Sequence, residues 1–106
     1  MKKFQLVSAV VMLLGWTLPS AAYDTGSMTC HDIGQFASVT MQAREQGKTK
    51  EESLAVVAGQ DFKYPVEKSN LTSVVKLING RVGDQLAGPQ AAYNVVNRDC
   101  DIGSAQ

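Results

Sequence analysis

Two cysteines, one histidine and a pair of adjacent glutamates are the residues of this chain with reactive chemistry to offer. Cys30 and Cys100 stand 70 positions apart. An even cysteine count in an oxidising compartment points to one disulfide. On chain entropy, closing a loop of that length is worth roughly 4 kcal/mol, comparable with the whole stability of a marginal domain. The alternative is two free thiols, one activated by the neighbouring His31. Adjacent side chains on a helix diverge by about 100°, so His31 is poorly placed to act as a base for Cys30.

His31 falls in what reads as the first turn of a helix, where the dipole disfavours the imidazolium, and no metal-ligand spacing surrounds it. Glu51 and Glu52 would suit the acid pair of a hydrolase. They lie, however, in Thr49-Lys50-Glu51-Glu52, a capping box in which threonine and the second glutamate satisfy each other's backbone N–H. Asn70-Leu71-Thr72 matches an N-glycosylation acceptor, at a position that reads as a helix start. One histidine and two cysteines are too few for the usual zinc, haem or iron–sulfur sites. No phosphate-binding loop, nucleophile elbow or zinc-protease motif is present in the sequence. The expectation is therefore no catalytic residue, no metal, no cofactor and no enzyme. The remaining candidate is Asp61-Phe62-Lys63-Tyr64-Pro65, where Phe62, Lys63 and Tyr64 would form a contact for a partner protein. Alternatively, Phe62 and Tyr64 fold back to plug one end of the core, which the shortage of aromatics favours.

Those residues need elements to hold them. The 106 residues make one domain, and ten basic against ten acidic side chains exclude a strongly basic nucleic-acid binder. A hydrophobic share of 44% excludes wholesale disorder. Residues 1–22 read as a signal peptide: Lys2 and Lys3, an apolar stretch around Val7 to Leu14, then Pro19 and Ser20-Ala21-Ala22. The apolar run is short for a membrane span, so cleavage near Ala22 would leave no stable membrane insertion. Removing 22 residues from 106 leaves 84, with eight basic and ten acidic side chains. A domain of this size buries about 60% of its unfolded surface, which makes a covalent staple useful.

Residues 23–106 read as a single helical domain, ordered over about 29–100. Tyr23 to Met28 is a polar leader expected to fray. Thr29 caps a first helix over Cys30–Gln46, with Ile33, Phe36, Ala37, Thr40, Met41 and Arg44 on one face and Gly47 as the terminator. The capping box opens a second helix over Lys50–Gly59, carrying Leu54, Val57 and Ala58 as its stripe. Residues 60–68 read as a loop, with Pro65 disfavouring helix at Tyr64. A third helix follows Ser69 or Asn70, with Leu71, Val74, Val75, Ile78 and Val82 as its stripe, ending near Arg81 where glycines intervene. Gly88-Pro89 opens a fourth over Pro89–Asp99, and residues 101–106 form a polar tail. The fold expected is all-α: a small, irregular four-helix bundle, up-down-up-down, stapled by Cys30–Cys100. That topology brings both cysteines to one end.

Cys30 opening a helix, Arg44 to Gly47 ending it, a glutamate-containing second helix, and Pro89-x-x-x-Tyr93 leading to Cys100 resemble small exported two-cysteine helical proteins of proteobacteria. The resemblance implies a periplasmic helical domain and carries no activity with it. The general format is shared by acid-stress chaperones of the enteric periplasm and by immunity proteins against peptidoglycan-cutting toxins. The functional expectation is a periplasmic or secreted protein-binding module, an inhibitor or immunity-type protein, that takes another exported protein and no nucleic acid. An acid-responsive chaperone and a small enzyme using His31 or Glu52 are the alternatives.

Overall fold

A computed structural model describes residues 24–105, with side chains described as far as Asp101. Residues 1–22, read above as a signal peptide, and the expected cleavage point after Ala22 lie outside the described residues. The chain divides into two compact units. Thr25–Asp99 carries nearly everything that follows. Of the other unit, Met1–Asp24 with Cys100–Gln106, the described part is Asp24 and the last turns of the final helix.

All regular structure among the described residues is helical, as the periodicity implies. Helix α1 spans Cys30–Glu45, and Thr29 and Asp32 form a complete capping box at its start. Its end is a full Schellman closure: Gly47 N–H donates to Arg44 O at 3.0 Å and Lys48 N–H to Ala43 O at 2.9 Å. Gly47 adopts φ +91°, the left-handed conformation that the closure requires and glycine supplies. Helix α2 spans Lys50–Ala58 behind the expected Thr49/Glu52 capping box. Its stripe is narrower than expected: Val57 is buried, Leu54 half-buried and Ala58 exposed.

Helix α3 spans Pro65–Ile78 and begins earlier than the sequence suggests. Tyr64 is extended, as a residue before proline should be, yet Pro65 itself takes the first helical position, where its missing N–H costs nothing. Glu67 completes the start by reaching back to the N–H groups of Lys63 and Tyr64, at 3.1 and 3.3 Å. Leu71, Val74, Val75 and Ile78 are all buried, as their 3.6-residue spacing implies. Each such burial stabilises the fold by roughly 1.5–3 kcal/mol. α3 is the central helix of its unit, packed against α1, α2 and the next element.

Four helices were expected, and the described residues form five. The extra one, α4, is the single turn Arg81–Asp84. The chain leaves α3 at Asn79, so Val82 falls off the apolar stripe and is 37% exposed. Gly83 is buried at this corner because backbone approaches it closely: a Cβ there would lie 1.6 Å from Ile78 O. Arg44 ties the corner together, donating from Nη1 to Ile78 O at 2.8 Å and pairing through Nη2 with Asp84. Helix α5 spans Pro89–Ala105, so residues 101–105 of the segment expected as a tail are helical. Ala92, Val96 and Cys100 are its buried stripe. Cys30 and Cys100, the chain's two cysteines, are disulfide-bonded and neither is free.

Candidate functional site

Among the described residues, the most exposed of the large hydrophobic side chains lie on α1 and α2. Val39 and Val56 are each 57% exposed, although both sit in well-formed helices. They line a groove with Phe36, Thr40, Ala43 and Ser53, enclosing about 80 Å³. Thr40, Ala43 and Ser53 in its lining are small and leave the space between the two valines unfilled. The Thr40 hydroxyl is satisfied by its own helix, donating to Phe36 O at 2.8 Å, so the groove keeps an apolar character. An adjoining depression of about 150 Å³ shares Ala43, Ser53 and Val56 and adds Lys48 and Glu52. Small-molecule sites generally run to about 300–1,000 Å³. The groove is the size of one aliphatic side chain.

Glu52 reaches this depression from a fixed position. It accepts the Thr49 N–H at 2.8 Å and donates its own N–H to Thr49 Oγ1 at 3.1 Å. The Thr49 backbone N–H, with Lys48 nearby, holds its carboxyl below the usual range. Asp32 is held low in the same manner by Thr29. These carboxylates serve helix starts, as the sequence pattern implies.

Within the segment 61–65, Phe62 and Tyr64 are placed differently. Phe62 is half-buried against the cluster of Val57, Leu71 and Val75, beside Phe36 and Leu54. Lys63 and Tyr64 are exposed, and the lysine ammonium lies 5.5 Å above the tyrosine ring. Phe62 plugs the core while Tyr64 faces solvent.

His31 is exposed, with Nδ1 2.7 Å from the Tyr93 hydroxyl and Nε2 3.3 Å from Gln35 Nε2. The imidazole and phenol rings meet edge to face at 5.5 Å. Tyr93 reaches this position because Gly34 lacks a side chain; a Cβ there would lie 2.9 Å from the ring. Among the described residues, no group of three or more His, Cys, Asp and Glu could hold a metal ion. No helix among them is long and apolar enough to cross a membrane.

Sequence reasoning passed over Glu67, which is 2% exposed and accepts four hydrogen bonds. Its signal was local: Pro65 followed by Glu67 is the first-turn pattern of a helix. The groove also had a signal, since Val39 lies off the apolar stripe of α1. No family model matches the chain, and neither a curated protein nor a solved structure is detectably similar to it.

Proposed function

We propose that this chain is an exported, non-enzymatic protein-binding module of inhibitor or immunity type, acting in the periplasm or outside the cell after removal of residues 1–22. The carrying observation is the pair Val39 and Val56, exposed on neighbouring helices over an apolar groove. The occupant is another exported protein that inserts one aliphatic side chain. Lys48 and Glu52, in the adjoining depression, offer charges of both signs to the polar residues flanking that anchor. Tyr64, with Lys63 over its ring, is a second contact. Alternating directions for α1, α2, α3 and α5 are part of the same reading, since that order suits a Cys30–Cys100 bond.

Comparative affinity capture tests it. A partner captured by the wild type and lost by the Val39→Asp, Val56→Asp variant, at an unchanged melting temperature, supports the groove. Equal capture by both proteins removes it, and loss only with Tyr64→Ala moves the contact to the loop.

Glu67 favours a second reading, an acid-responsive chaperone. A buried carboxylate that accepts two hydrogen bonds from Ser27 in the N-terminal segment and two at the start of α3 is a point at which acid would loosen the fold. Absence of client protection at about pH 3, below the ordinary carboxylate range, would retire that reading.

A further inference from the structure

Half of the hydrogen bonds of Glu67 serve a segment 40 residues away. Oε2 accepts the backbone N–H of Ser27 at 2.6 Å and also the Ser27 hydroxyl. Oε1 accepts the N–H groups of Lys63 and Tyr64. Gly26 lies against the same carboxylate: at φ +64°, a Cβ on it would stand 2.7 Å from Glu67 Cγ. The leader is thus shaped to lie on this side chain, and its turn is closed by Met28 N–H donating to Thr25 O at 3.1 Å. Beyond the turn, Met28 packs on the cluster of Val57, Leu71 and Val75, in company with Phe36, Leu54 and Phe62.

We infer that the Glu67–Ser27 contact is an acid-released latch, holding Met28 as a cover over the apolar cluster of Val57, Leu71 and Val75. Protonation gives the carboxyl an O–H donor where Ser27 presents an N–H and a hydroxyl, and it removes the charge that strengthens all four bonds. The surroundings hold the latch shut near neutrality. Lys63 contributes its backbone N–H while its ammonium lies over the Tyr64 ring; Asp24 and Asp61, in the flanking segments, and Lys68, on α3, are exposed. The Ser27 hydroxyl and N–H keep the carboxyl below its usual range against the opposing effect of burial. Opening therefore needs medium more acid than about pH 4. The inference deepens the acid-responsive reading by naming the group that titrates and the surface that it uncovers.

Methyl NMR on the methionine-labelled protein tests it, because Met28 belongs to the leader and Met41, buried in α1, is an internal control. Between neutral pH and about pH 3, the Met28 methyl should sharpen and move to its solvent-exposed position while Met41 stays. Glu67→Gln should show the released signal already at neutral pH. Ser27→Ala, which leaves the α3 start intact, should raise the pH of release. A Met28 signal unmoved at low pH, or one that moves only together with Met41, overturns the latch. So does an unchanged release pH in Ser27→Ala, whatever the folding of Glu67→Gln. A released Met28 without client protection would retire the chaperone and keep the latch.

Discussion

A Cβ at position 83 would stand 1.6 Å from Ile78 O and 2.5 Å from Arg44 Nη1. The obstacle on one side is backbone, which cannot rotate away. Gly83→Ala should therefore lower stability by about 3 kcal/mol, read from urea unfolding, by forcing α4 off the end of α3. Gly34 is a milder case, since its nearest obstacle is the Tyr93 ring, a side chain that can swing aside, with Asn97 Cβ next at 3.2 Å. Phe62 and Tyr64 separate in the same way. Phe62→Ala should cost about 2 kcal/mol, less than a fully buried phenylalanine, because the ring is half in the core. Tyr64→Ala should change stability by under about 0.5 kcal/mol and weaken partner capture by about 1–3 kcal/mol. Melting and capture on the same two proteins check both statements.

The helices are held at their ends as much as along their faces. Thr49→Ala removes the acceptor for the Glu52 N–H and should cost about 1 kcal/mol in thermal unfolding. Asp32, Glu52 and Glu67 all have carboxyls lowered in the folded chain. The unfolded chain returns them to about pH 4. Their contribution to stability is therefore complete above about pH 5 and disappears as pH falls through the lower, folded values. Circular dichroism across that range should show a shallower acid loss in Glu52→Gln than in the wild type. The same proline rule governs two of these helix starts. Gly88-Pro89 is legible as a start from sequence, whereas Tyr64-Pro65 reads as a break. What turns Pro65 into a first helical residue is the reach of Glu67 back to Lys63 and Tyr64.

The Cys30–Cys100 bond closes 70 positions, spanning α1 to α4 and most of α5. By chain entropy it contributes about 4 kcal/mol, so Cys30→Ser should cost about 2–5 kcal/mol. Alkylation under non-reducing conditions, followed by mass spectrometry, should find no free thiol. The proposed export adds a prediction read from the intact mass: processing after Ala22 should leave a chain starting at Tyr23. A secreted mass that retains residues 1–22 would overturn the processing.

Sequence alone determined the helical class, the start and end of α1, the capping box of α2, the buried stripe of α3 and the pairing of the only two cysteines. Those features depend on residues within about four positions of each other, or on a count, so one strand of text contains them. The tertiary structure decided the rest. Glu67 gains its meaning from Ser27, 40 residues away, and Arg44 from Ile78, 34 residues away. Val82 sits at the right spacing for the core, but the chain has already turned at Asn79 to make α4. Val39 and Val56 line one groove although they lie on separate helices, which only the packing of α1 and α2 brings about. Periodicity specifies which face of a helix is apolar. Which neighbour covers that face, and what is left uncovered, depends on how separate helices pack.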